Sequence, residues 1–271
     1  VKSKVTPLND TTPEITVLTL FAGRWHCLEA FLDGLDNLDY PKKKLHLVWF
    51  TNSDDNIFLE CLEREGEKRF KDYASLQLIK APIRPTSWAF KDQGTGYLEH
   101  ANTIATLYNT AYQYVETDLL FFLEDDVLTP THALRRFLKA YAENPLCAYI
   151  SGIVFDRHNP GVYFVWDIDM AQTPRPDIKQ YQHDYVLRPP RKCWGLQKIG
   201  AAGFSCTLVR TSILNRLKRP NLPIFHEKSP LSSTTGGSDI CMGMELNFSG
   251  YEVYADYDVR AFHMDAESKL H

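Results

Sequence analysis

The residues best equipped for chemistry stand together at Glu124-Asp125-Asp126, directly after the apolar run Leu119-Leu120-Phe121-Phe122-Leu123. Five apolar residues without a polar break read as a strand covered on both faces, so the acids fall at its carboxyl end. In open α/β sheets that end borders the ligand crevice. Adjacent carboxylates repel one another, and beside an apolar core their charge is costly unless a cation or hydrogen-bond donors offset it. Mg²⁺ or Mn²⁺ answers that need, because both take hard oxygen ligands and commonly join one or two carboxylates to the phosphates of a substrate. The plainer alternative is an acidic turn that ends a strand and faces water.

The chain that must position these acids has 271 residues, enough for one large domain or two small ones with a real core. With 44% hydrophobic and 24% charged residues it has the composition of a soluble globular protein. A net charge of -4 argues against a general nucleic-acid binder, which would carry a basic excess. No apolar run approaches the length of a membrane span. Because the chain begins at Val1, membrane association through a missing segment stays open, with the cytoplasm or the Golgi lumen as compartments. Six scattered cysteines include no Cys-x-x-Cys pair, which disfavours a zinc or redox motif and favours core packing. Sequons at Asn9 and Asn247 keep a secretory location open without supporting it.

The elements alternate. After a polar arm over residues 1–13, a strand is expected at 15–20, then a helix with Cys27, Leu28, Phe31, Leu32 and Leu35 on one face. A second strand at 45–50, an amphipathic helix at 57–73 and a short strand at 76–79 complete a βαβαβ unit, the first half of a nucleotide-binding α/β fold. A loop over 80–96 leads to a helix over 98–115, which delivers the chain to the acidic strand. Thr129-Pro130-Thr131 is expected to cap a helix through Tyr141, and a strand follows over 148–155. Residues 156–192, rich in Pro, Tyr and Trp, read as an acceptor-facing or lid region. The small residues from Gly200 lead into a strand to Val209; a short helix from Thr211, a polar loop over 220–237, a helix over 239–248 and two closing strands at 251–255 and 259–262 bring the chain to His263.

In order and spacing, these pieces resemble a family 2-type glycosyltransferase of the GT-A fold, over about residues 15–265. Asn109 stands in the helix before the acidic strand, and Glu124-Asp125-Asp126 matches the Asp-x-Asp signature with Glu in place of the first Asp. Gly200-Ala201-Ala202 resembles the acceptor loop, Ser238-Asp239 stands at the Glu-Asp motif, and the spacing to Gly250-Tyr251 and to His263 is kept. The resemblance implies a single GT-A domain over residues 14–271, Rossmann-like, with a mostly parallel central sheet flanked by helices. Residues 14–155 would bind the nucleotide sugar and 156–271 the acceptor.

It also implies roles. Asp126 and His263 would ligate the metal, with Glu124 contacting metal or ribose and Asp125 beside them; an imidazole ligand suits Mn²⁺ better than Mg²⁺. Leu20, Ala22, Arg24, Asp54 and Asn109 would contribute to binding a UDP- or GDP-sugar. Asp239 would be the general base of an inverting transfer to a hydroxyl of a glycan or glycoconjugate, although its position at a helix start equally suits a cap. Trp88, Trp166 and Trp194 could stack on sugar rings, or pack in the core. A retaining transferase, a nucleotidyltransferase and a non-catalytic carbohydrate-binding domain are the alternatives. The nucleotidyltransferase would need a richer phosphate loop than Ala22-Gly23-Arg24.

Overall fold

The computed structural model describes residues 12–82, 95–155, 163–166, 194–217, 223–226 and 237–265. Most of the expected loops over 80–96 and 220–237, most of 156–192, the arm before residue 12, and Trp88 lie outside them.

In chain order the elements are β1 (Ile15–Phe21), α1 (Trp25–Asp36), β2 (Leu45–Thr51), α2 (Asn56–Arg69), β3 (Ser75–Lys80), α3 (Thr95–Ala111), β4 (Leu119–Leu123), β5 (Val127–Leu128), α4 (Ala133–Glu143), β6 (Cys147–Val154), β7 (Val165–Trp166), β8 (Leu196–Ile199), β9 (Ala201–Ala202), β10 (Cys206–Arg210), α5 (Thr211–Leu217), α6 (Ser238–Phe248) and β11 (Glu252–His263). The main sheet runs β3-β2-β1-β4-β10-β6-β11-β5, with β8 also on β11. It is the expected α/β sheet, mostly parallel and flanked by helices. Antiparallel β10 lies in its middle, between β4 and β6, and β5 and β8 run antiparallel to β11.

Strand alternation sorts side chains to two cores. On β4, Leu119, Phe121 and Leu123 face a cluster built with Phe31 and Leu35 of α1, Phe58 of α2 and Phe137 of α4. Leu120 and Phe122 face the other, with Leu107 and Tyr108 of α3, Ile213 of α5, and Met242 and Leu246 of α6. With both faces covered, β4 is buried along its whole length, which is why its sequence carries no polar residue. The predicted face of α1 is the buried one, residue for residue.

Three expectations change. The chain is drawn into β5 by pairing with β11 and turns through Thr129–His132, so α4 starts at Ala133 behind His132, and Thr129-Pro130-Thr131 does not cap it. α3 ends at Ala111 and tightens into a 3₁₀ turn over Tyr112–Tyr114. The two closing strands are one, β11, whose register against β6 shifts between Asp256 and Arg260. No helix among the described residues is long and apolar enough to cross a membrane.

Candidate active site

The carboxyl ends of β1, β2 and β4 open into a cleft of about 600 Å³. Its walls include Leu20, Ala22, Arg24 and Asn52 from the first two strand ends, Glu124 after β4, Gly203 and Ser205 before β10, Asp239 on α6 and His263 at the end of β11.

The acids are held by backbone geometry. Val127 N donates to Glu124 O (3.2 Å), turning the chain sharply, and Glu124 N donates to Ser205 O (3.2 Å). β5 then pairs with β11 so that Val127 opposes His263, and Met264 N donates to Asp126 O (2.9 Å). Side-chain ligand atoms of Glu124, Asp126 and His263 consequently lie within 4.8 Å of one another. The His263 Nδ1–H donates to Phe155 O (2.7 Å), which leaves Nε2 facing Glu124 Oε2 at 3.8 Å. A carbonyl behind the imidazole fixes its tautomer and orientation as metal-binding histidines require. Two carboxylates and an imidazole, mostly buried, fit Mn²⁺ and also accommodate Mg²⁺.

Charge in the cluster is unevenly distributed. Burial alone would raise Glu124, but the His263 imidazole, the Ser205 hydroxyl donating at 2.7 Å, and Arg24 hold it below the ordinary carboxylate range. Burial likewise works against protonated His263, yet Glu124 and Asp126 raise its proton affinity above the ordinary value. Asp125 is pushed up to about 6 by burial, with Arg24 opposing and Asp126 adding to the rise. Its oxygens are engaged outside the ligand trio: Asp125 Oδ2 accepts from Ala22 N (2.9 Å), and Oδ1 from Arg24. Arg24 Nη1 also lies 3.3 Å from Asp126 Oδ2.

Across the cleft, α6 is set down tightly on β9. A Cβ at Gly243 would lie 2.7 Å from Ala201 Cα, and Asn247 Nδ2 donates to Gly200 O (2.8 Å), so this sequon asparagine is engaged in packing. Gly237 occupies the N-cap position without a side-chain bond. Asp239 therefore is not the cap; it sits in the first turn, Oδ1 accepting from Ile240 N (2.8 Å), and lines the cleft. Burial pushes its carboxyl up to about 6, opposed by the Ile240 N–H and reinforced by Glu124.

Two expected nucleotide contacts fall elsewhere. Asn109 exchanges hydrogen bonds with the Phe225 backbone, its Nδ2 donating to Phe225 O at 2.6 Å and Phe225 N donating to its Oδ1 at 3.1 Å, and it is not among the cleft's lining residues. Asp54 is exposed outside the cleft, where Asn52 lines it instead; Asp55 caps α2 and accepts from Trp25. Trp166 lines the cleft beside Phe164, whereas Trp194 is exposed away from it. Sequence reasoning missed Asn52, Ser205 and His100. Ser205 was signalled only by its place just before β10, and His100 only by its helix face.

No family model matches the chain, and no curated protein matches it by sequence. Solved structures do. The mannosyltransferase PcManGT from Pyrobaculum calidifontis, in complex with GDP-Man and Mn²⁺, aligns over 96% of this chain with a TM-score of 0.59 at 18% identity. S. aureus TarS 1–349 aligns over 91% with a TM-score of 0.55 at 13% identity, and its complex with UDP-GlcNAc over 91% with 0.52 at 12%. This chain spans 58–60% of the length of those structures. What it shares with them is the fold, that of GT-A-type glycosyltransferases.

Proposed function

We propose that the chain is a metal-dependent, inverting glycosyltransferase that moves a sugar from a nucleoside diphosphate to a hydroxyl of a glycan or glycoconjugate. The observation that carries this reading is one cleft with a two-carboxylate, one-imidazole cluster on one wall and a half-buried carboxylate of raised proton affinity, Asp239, on the other. Glu124, Asp126 and His263 would hold Mn²⁺, which when bound offsets the charge of a departing diphosphate. Leu20, Ala22 and Asn52 would line the nucleotide's side of the cleft, and Arg24 would keep Asp125 and Asp126 in register. The acceptor hydroxyl forms its bond to the anomeric carbon as the bond to the diphosphate oxygen breaks with its electron pair; the hydroxyl proton passes to Asp239. An affinity near pH 6 suits a base that must be ionised at neutral pH and still take a proton. The neighbours' GDP-Man with Mn²⁺ and UDP-GlcNAc support a nucleotide-sugar donor. Phe164 and Trp166 offer aromatic faces to a carbohydrate acceptor.

Isothermal titration with UDP and GDP, each with and without Mn²⁺, tests the reading. One nucleotide should bind markedly tighter with metal. Equally weak binding in all four titrations would leave a non-catalytic domain, and a product anomer matching the donor's by NMR would remove Asp239 as the base.

A further inference from the structure

We infer that Gly203 sets the size of the sugar that the cleft admits, its missing side chain leaving open the space in which the donor's transferred sugar lies. This rests on the nucleotide-sugar reading above. Several of the other described glycines have local reasons. Gly23, Gly195 and Gly250 have φ of 79°, 66° and 83°, where a side chain is strained. At Gly152 a Cβ would lie 2.9 Å from Val259 O, and at Gly243 2.7 Å from Ala201 Cα. Gly203 has neither reason: its φ lies outside the left-handed region, and an added Cβ would sit at ordinary contact distances, 3.6 Å from Phe164 Cβ and 3.7 Å from both Asp239 Oδ2 and Ser205 Oγ. Gly34 has similar freedom, but in α1 against Leu128 rather than in a cleft. A glycine that neither backbone nor packing requires costs the fold chain entropy, so an unfilled position of this kind points to something other than the protein.

The surroundings say what. From Ala201 to Thr211 only Gly203 escapes full burial, and it lines the cleft. The open position lies between the Asp239 carboxylate and the Ser205 hydroxyl, which donates to Glu124. A sugar held between Asp239 and the acids that would hold the diphosphate's metal would lie against that gap. The backbone cannot retreat to make room, because Gly203 N donates to Phe164 O (3.1 Å) and Gly203 O accepts from Thr207 Oγ1 (2.7 Å).

The experiment compares wild type, Gly203→Ala and Gly203→Val by titration in Mn²⁺ with UDP, GDP, UDP-GlcNAc and GDP-mannose. Both variants should bind the nucleoside diphosphate as wild type does. The nucleotide sugar that wild type accepts should bind several-fold weaker to the Ala variant and about tenfold or more weaker to the Val variant. If Val also loses the diphosphate, Ala decides, since its Cβ displaces no protein atom. Nucleotide-sugar affinity that is unchanged in Ala, or falls only in step with the diphosphate, overturns the inference. Wild type that binds neither UDP nor GDP overturns the nucleotide-sugar reading itself.

Discussion

Two clusters of acids with an arginine occupy opposite ends of the logic of this molecule. Asp256-Tyr257-Asp258 spells a literal Asp-x-Asp, while Glu124-Asp125-Asp126 departs from one. Yet at the first, Arg136 grips Asp256 with Nε (2.7 Å) and Nη2 (2.9 Å) and reaches Asp258 at 2.8 Å, while Asp258 N donates to Asp256 Oδ1 at 3.1 Å. Nη2 is shared, but Asp256 also has Nε and Asp258 also accepts from Gly195 N (3.2 Å), and the guanidinium fork fits planar carboxylate geometry. The pair staples α4 to the irregular stretch of β11. At the second cluster a single Arg24 Nη1 is shared between Asp125 and Asp126, and Glu124 turns to His263 and Ser205. The spacing of acids alone does not separate a candidate metal site from a structural ion pair; the partners each acid holds do.

The largest effect is expected across the cleft from the second cluster, for Asp239→Asn, which keeps shape and removes basicity. Turnover should fall by roughly 10²–10⁴-fold with little change in nucleotide affinity. The same variant has a stability signature. Because the folded chain holds this proton more tightly than the unfolded one, moving from 3.8 to about 6, ionising Asp239 destabilises the fold progressively as pH rises through that window. Asp239→Asn should therefore melt higher than the parent at pH 7 and lose its advantage by pH 4, as thermal melts across pH would reveal. Next in size, Asp126→Ala should abolish the Mn²⁺ enhancement of nucleotide binding while the metal-free fold persists; an undiminished enhancement would put the ion elsewhere. His263→Ala should shift the Mn²⁺ requirement upward by less, since water can occupy a vacated position. Smallest in function is Arg136→Ala. It should cost about 1–3 kcal/mol of stability, below the usual figure for a broken buried pair because Arg136 is 39% exposed, and leave Mn²⁺-dependent binding unaltered. A change in metal dependence there would erase the distinction between the clusters.

What could be read from the chain followed short-range rules. The α1 face, the first three strands and the acids after β4 obey periodicity and burial, and each is visible in a window of about a dozen residues. Arg24 could be nominated for the site but its partner could not, because Asp125 lies 101 residues away. Where Asn109 and Asp54 stand was hidden for the same reason: family spacing and a strand end identified positions, whereas Phe225 and the exposed turn before α2 determine what each side chain reaches. The break expected within β11 failed because the polar residues Asp256 and Asp258, which look like a turn, are absorbed by Arg136 from another element.

The insertion of β10 has a consequence for the order in which the chain can fold. β4 and β6 are both in hand by residue 154, but each turns an edge toward β10, whose residues 206–210 come later. Until it arrives, two apolar edges lack their neighbour, an arrangement prone to mispairing with other chains. Closing the sheet also joins partners such as Leu208 and Phe121, 87 positions apart, and that kind of long-range closure slows folding. A fragment ending at residue 155 is expected to collapse without settling, and on a ribosome the sheet would stay incomplete until β10 and then β11 had emerged.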